Sequence, residues 1–230
     1  QWSECAITVT YEEAASRPSL SKTSFAMGAA VTIYTNRQSN VATHTLRYSF
    51  FSSNGTIAMD VTDSCTWTPP VSLAAQIPNA VSGWGTIYCD TYVNGSLVST
   101  NTCAFQLTVP ASVVPSISSI SIAEATAGIA DRFGGYVRTR SKLLVSITAA
   151  GAQGSSISSY RTSIDGVTYS GSSFTTNAFN TAGNLTMTVT VTDSRGRTAS
   201  TARTVTVLDY LPPSLSQFTA ERCNADGTAA

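Results

Sequence analysis

The sequence repeats one short phrase at almost equal spacing. Pro18-Ser19-Leu20-Ser21 returns as Pro115-Ser116-Ile117-Ser118 and again as Pro213-Ser214-Leu215-Ser216, so the three prolines stand 97 and 98 residues apart. Two such intervals, each opened by proline and filled with short alternating segments, have the size of an immunoglobulin-like β-sandwich. Proline has no amide to donate, so it belongs where one sandwich has closed and the first strand of the next begins. The expectation is an all-β chain of tandem immunoglobulin-like β-sandwiches, read as a fragment of a longer multidomain chain. Residues 1–14 would be the last strand of a preceding domain, 15–110 the first sandwich, 111–209 the second. Residues 210–230 would open a further repeat, with too few residues to complete it.

Composition supports strands and removes several function classes. There are 33 Ser and 34 Thr against 13 Lys+Arg, 13 Asp+Glu and one His, a balance that favours strands over charged amphipathic helices. The formal net charge of zero leaves no electrostatic footprint for nucleic acid or an anionic membrane. No enzyme is expected, because Gly-x-Ser-x-Gly, phosphate-loop and His-Glu-x-x-His patterns are all absent. No cofactor or metal site is expected either, since the cysteines form no CxxC pair.

Strand patterns recur inside each interval. In the first, Val31 and Ile33 mark an early strand, and His44, Leu46, Tyr48 and Phe50 share one face of another. Asn54-Gly55 is expected to turn a hairpin, Cys65 and Trp67 to share a strand face, and Ser72 to Ile77 to form a single helical turn between sheets. A second Asn-Gly turn at Asn94-Gly95 precedes a closing strand with Cys103, Phe105, Leu107 and Val109 on one face. A two-residue loop there would place Ile87 and Cys89 opposite to Phe105 and Leu107, so a bulge is required, expected near Asn101. In the second interval Leu143, Val145 and Ile147 share a face, Asp165-Gly166 turns a hairpin, and Leu185, Met187, Val189 and Val191 alternate. The closing hairpin runs from Asp193 through Arg195-Gly196-Arg197 to Val205 and Val207.

Few residues suggest chemistry. Five cysteines, Cys5, Cys65, Cys89, Cys103 and Cys223, are expected as free thiols, with a bridge from Cys65 to Cys89 or Cys103 left open. His44 shares a face with apolar neighbours and reads as a core-edge histidine bonded to backbone. Glu12-Glu13 reads as solvated charge. Among Trp2, Trp67 and Trp84, Trp67 fits a sandwich core, whereas Trp84, between Gly83 and Gly85, is the candidate exposed contact for a sugar ring. Arg195 and Arg197 are candidate surface contacts at a hairpin tip, able to join Arg138, Arg140 and Lys142 in a basic patch; the plainer reading is an ordinary hairpin with both arginines exposed. A Lys-Asn isopeptide bond from Lys22 or Lys142 lacks an obvious carboxylate partner.

Longer runs carry a resemblance. Val109-Pro-Ala-Ser-Val-Val-Pro-Ser-Ile117, Arg140-Ser-Lys-Leu143, Thr148-Ala-Ala-Gly151, Val191-Thr-Asp-Ser-Arg-Gly-Arg-Thr198 and Arg222-Cys-Asn-Ala-Asp-Gly227 look like tail proteins of siphoviruses and prophages of Gram-positive bacteria. The chain resembles a phage minor structural protein family with an uncharacterised central domain. Leu20-Ser-Lys-Thr23, Asn36-Arg-Gln-Ser39 and Trp67-Thr-Pro-Pro70 are similar to the domain that precedes it in such proteins. The resemblance implies serial immunoglobulin-like modules in a tail tip or fibre, following a module similar to carbohydrate-binding domains. It implies a place in the virion tail after synthesis in the bacterial cytoplasm, where thiols stay reduced and no export signal is needed. Its partners would be other tail proteins or copies of itself as a homo-oligomer, with host cell-wall glycans as a further contact and neither nucleic acid nor membrane. The alternatives are an adhesin stalk on a Gram-positive cell surface and an accessory carbohydrate-binding module of a secreted glycosidase.

Overall fold

A computed structural model describes residues 15–228. The expectations placed on Gln1 to Glu13, including Trp2, Cys5 and Glu12-Glu13, fall outside the described residues. The first set of strands is β1 (Ser19–Leu20), β2 (Ser24–Ala26), β3 (Val31–Tyr34), β4 (Ala42–Phe50), β5 (Ser53–Val61), β6 (Ser64–Trp67), β7 (Ser82–Val93) and β8 (Ser96–Thr108). The second is β9 (Ser116–Glu124), β10 (Tyr136–Val137), β11 (Leu143–Ala150), β12 (Ile157–Ile164), β13 (Val167–Ser170), β14 (Ser173–Thr175), β15 (Gly183–Asp193) and β16 (Thr198–Leu208), with one short helix, α1 (Ile129–Phe133).

Both sets follow one topology. Each makes a three-stranded sheet, β1-β3-β6 or β9-β11-β14, and a five-stranded sheet, β2-β8-β7-β4-β5 or β10-β16-β15-β12-β13. In each, a short second strand crosses to the five-stranded sheet and pairs parallel with the last strand, β2 with β8 and β10 with β16. The remaining pairings are antiparallel. This strand order is that of an immunoglobulin-like sandwich, met twice.

Each sandwich buries its own core. Phe25, Ile33, Leu46, Phe50, Trp67, Ile87, Phe105 and Leu107 form one cluster, and Leu143, Val145, Ile164, Phe179, Met187, Val189 and Val205 form another. Trp67 is held edge-on by Phe25 and Phe105 and stacked by Tyr48 at 5.2 Å, as its strand parity requires. His44 is fully buried, with Nδ1 2.8 Å from the Val61 carbonyl and Nε2 2.8 Å from the Ser16 hydroxyl.

Asn94-Gly95 turns a hairpin and Asn54-Gly55 does not. Val93 faces Ser96 across Asn94-Gly95, whose φ values of 49° and 78° are those of a primed hairpin turn. The register then shifts by one residue between Thr91 and Tyr92, so Ser99 pairs with Thr91, Leu97 pairs with Tyr92, and Val98 is the extra residue. Cys103 accordingly faces Ile87, and Phe105 faces Gly85, on one inner face. The bulge exists for the reason given, but it sits nearer the turn than Asn101. Asn54-Gly55, by contrast, does not turn the chain: Phe50 pairs with Ser53, the loop is Phe51-Ser52, and Asn54 and Gly55 lie in β5 opposite Ser49 and Tyr48. Phe51 takes the positive φ, 53°, and sets its ring edge-on to Phe50 at 5.1 Å. Aromatic packing at the sandwich end overrides the stronger local turn signal.

The described cysteines, Cys65, Cys89, Cys103 and Cys223, are free thiols. Burial pushes the Cys89 thiol up to about 11, and burial raises Cys65 and Cys103 as well. Since the thiolate is the nucleophile, iodoacetamide at about pH 8 should alkylate exposed Cys223 and leave Cys89 intact until the first sandwich unfolds. Peptide mass spectrometry with and without urea checks this; rapid modification of native Cys89 would contradict its burial.

Candidate functional site

Among the described residues, two places that gather polar side chains bear on function. The first is the outer face of β4, β5, β7 and β8. On β7 the glycines alternate with outward residues: a Cβ on Gly85 would meet the Phe105 ring and lie 2.7 Å from the Ser49 carbonyl, and one on Gly83 would lie 2.8 Å from the Phe51 ring. The Phe105 and Phe51 rings press against the bare backbone there, and Trp84, of opposite parity, is directed outward and is 63% exposed.

Further along the same face lies a cleft of about 340 Å³ lined by Arg47, Ser49, Asn54, Thr56 and Tyr88, reached from Trp84 through Thr86, the β7 residue that faces Ser49. Arg47 donates from Nε and Nη2 to the two carboxylate oxygens of Asp90, at 2.6 and 2.9 Å, and its guanidinium lies 5.1 Å from the Tyr88 ring centre. Thr100 donates a further 2.6 Å bond to Asp90. The Arg47 bond is the main reason that the Asp90 carboxyl is held below its ordinary value of 3.8, with Thr100 assisting and burial opposing. A depressed folded pKa contributes stability that is present above the unfolded value and disappears as pH falls through the folded one. Asp90→Asn should therefore flatten the acid limb of the stability curve of the first sandwich, measured by urea unfolding from neutral pH down to about pH 2.5. Arg47 is 43% exposed at its side chain, so the effect is expected at about 1 kcal/mol.

The second place is the junction between the sandwiches. The β15–β16 hairpin tip reaches the end of the first sandwich, where a 3₁₀ turn, Val71–Gln76, carries the chain from one sheet to the other. Arg195, only 7% exposed, donates from Nε to the Ile77 carbonyl at 3.2 Å and from Nη2 to the Ala74 carbonyl at 2.8 Å. The same guanidinium donates to Ala152 at 2.7 Å and to Gln153 at 2.6 Å. Ser194 Oγ donates to the Pro78 carbonyl at 2.6 Å. Arg197 grips the connecting segment, donating to the carbonyls of Val109 at 2.6 Å, Val113 at 3.0 Å and also Pro110. Asp193 shapes the tip by accepting from the backbone amides of Arg195 and Arg197, both at 2.9 Å. Burial lowers the Arg195 pKa, with Asp193 opposing. A guanidinium keeps its charge so far above neutrality, and the carbonyl dipoles of both sandwiches solvate it in place of water.

These positions revise the sequence-based reading of the basic residues. Arg195 is buried rather than exposed, because the hairpin that carries it ends against the preceding sandwich instead of in solvent. Arg197 is half-buried on the connecting segment. Neither forms a patch with Arg138 and Arg140, which lie at the other end of β16: Arg138 pairs with Asp209 at 3.1 Å and Arg140 covers the Tyr210 ring. Lys22 and Lys142 are exposed, so neither has the buried setting an isopeptide bond needs. Among the described residues no group of His, Cys, Asp and Glu could hold a metal ion, and no helix is long and apolar enough to cross a membrane.

The profile described as "Siphovirus protein of unknown function (DUF859)" matches residues 4–229. The chain belongs to this siphovirus family. A search of curated proteins returned no match. Among solved structures, the siphovirus chain is similar to the fibronectin(III)-like modules of Clostridium thermocellum CbhA, with 12% identity and a TM-score of 0.34 over 88% of this chain and 100% of that one. It is similar to a complex of Dpr2 Ig1-Ig2 with DIP-Theta Ig1-Ig3, at 12% identity and a TM-score of 0.35 over 85% and 68%. A Ca2+-stabilized ice-binding adhesin of an Antarctic bacterium gives 10% identity and a TM-score of 0.31 over 86% and 50%.

Proposed function

We propose that this chain is a non-enzymatic structural module of the tail tip or tail fibre of a phage of Gram-positive bacteria, in which two sandwiches act as one stiff spacer. The observation that carries the reading is the Arg195 clamp, whose four carbonyl partners are divided between the two sandwiches. A guanidinium taken out of water holds its place only if its hydrogen bonds stay made, so bending at Pro115 would break several bonds together. A stiff link is what a spacer needs and what an independently moving binding module does not. Siphovirus family membership favours this reading over an adhesin stalk or a glycosidase accessory module. Other tail proteins or further copies of the chain would be its partners, and contact with host-surface glycans would be a second role, for which the exposed Trp84 is the supporting feature. Electron microscopy of purified virions with a labelled antibody against this chain tests the proposal. Label on the tail is expected; particles without label would overturn it.

A further inference from the structure

We propose that the outer face around Trp84, Arg47, Ser49, Asn54 and Thr56 is a binding site for an uncharged pyranose saccharide. The inference rests on the glycan-contact role suggested above and gives that role a location and a ligand class. Three features support it. First, Trp84, 63% exposed, offers an apolar indole face of the kind that packs on the C–H side of a sugar ring. Its same-face neighbours on β7 are the small Ser82 and Thr86, and across the β7–β8 pair it faces Gln106. Second, stacking alone does not orient a ligand, and the adjoining cleft supplies polar groups that could. Thr86, the next outward residue on β7, faces Ser49, which in turn faces Asn54; Arg47 likewise lies between Tyr88 and Thr56. Among the described residues Ser49, Asn54 and Thr56 donate or accept no side-chain hydrogen bond, so hydroxyls and an amide stand ready in two adjacent cross-strand rows.

Third, the charge on this face is cancelled. Arg47 spends Nε and Nη2 on Asp90, leaving Nη1 as a donor without a net positive field. A phosphate or carboxylate ligand would have to compete with Asp90 for the guanidinium; a sugar hydroxyl would not. Trp84 and Tyr88 are separated by about 13 Å along the strand, room for a ring on the indole with a neighbouring residue of the chain in the cleft.

The test uses the full chain and a panel of probes, glucose, galactose, N-acetylglucosamine and rhamnose, each in large excess. The readout is the indole N–H resonance of Trp84, assigned by its loss in Trp84→Ala. A saturable shift with one of these sugars is expected. Binding read on the remaining amide resonances should weaken at least about tenfold in Trp84→Ala and in Asn54→Ala, while both variants melt as the parent does. If a sugar binds with unchanged affinity to Trp84→Ala, the site assigned here is wrong and the glycan-contact role survives elsewhere on the chain. If none of the sugars perturbs any resonance, both the site and that role are rejected, leaving the spacer reading intact. If the indole signal instead follows protein concentration, the face is covered by a second copy of the chain and the saccharide proposal falls.

Discussion

Replacing Arg195 with alanine is expected to release the two sandwiches from one another while leaving each folded. The substitution removes the donors to the Ala74, Ile77, Ala152 and Gln153 carbonyls, and a water-filled gap can satisfy them only in part. Charge-assisted bonds of this kind make a loss of about 3 kcal/mol in coupling a reasonable magnitude. The parent is expected to unfold in one transition in urea and Arg195→Ala in two. Small-angle scattering should show a broader distribution of end-to-end distances. Arg195→Lys should recover less than half of the lost coupling, since one ammonium cannot reach four carbonyls arranged around a planar fork. Unchanged unfolding and unchanged scattering in Arg195→Ala would mean that the clamp does not stiffen the junction, and the spacer proposal would lose its support. Close backbone approach should limit the recovery by other routes: a Cβ on Gly154 would already lie 3.2 Å from the Ala75 Cα.

Gly85→Ala is expected to have the largest effect within a single sandwich. The added methyl would enter the Phe105 ring and come within 2.7 Å of the Ser49 carbonyl. Phe105 is packed among Phe25, Phe50 and Trp67, so the ring has nowhere to withdraw. The Ser49 carbonyl belongs to β4, so β4 itself would have to shift. A cost of about 3 kcal/mol to the first sandwich follows from overpacking; in the Arg195→Ala background, where the sandwiches should unfold separately, the second keeps its own midpoint. Gly95→Ala is the informative contrast. Nothing lies within 4 Å of a Cβ there, so only the left-handed φ of 78° is penalised, by about 1 kcal/mol. Equal urea midpoints for the two variants would argue against the ring contact as the cause.

Much of the sandwich was legible because strand parity and core burial report the same physics. Alternation placed Val31 and Ile33, Leu46 and Phe50, Leu143 and Val145, and Met187 and Val189 inward, and each is buried. Trp67 and Trp84 were separable for the same reason, one sharing its parity with Cys65 and the other lying between two glycines. The bulge after Asn94-Gly95 was demanded by apolar residues that would otherwise face opposite ways. Its position was not, because a bulge anywhere between the turn and Cys89 restores the same inner face. Asn54-Gly55 misled because turn propensity is local, whereas the loop at Phe51-Ser52 is fixed by Phe51 packing on Phe50.

The polar surfaces were the least legible. Ser49, Asn54 and Thr56 carried no pattern of their own, since they come from two strands whose pairing brings them to one cleft. Arg195 and Arg197 could be noticed as a pair, yet a hairpin tip is exposed or buried according to what lies beyond it. That information is held by Ala74, Ile77 and Pro110, roughly a hundred residues earlier in the chain.

The repeat of proline-led intervals and the period-two alternation determined by themselves that this protein is made of β-sandwiches with separate cores, because alternation marks the inner face of each strand and the interval sets how much chain each core draws on. Only the tertiary structure decided that Arg195 ties one sandwich to the next and that Trp84 shares an outer face with the open polar groups of β4 and β5. Both depend on side chains from distant segments meeting in space, and no local preference encodes such a meeting.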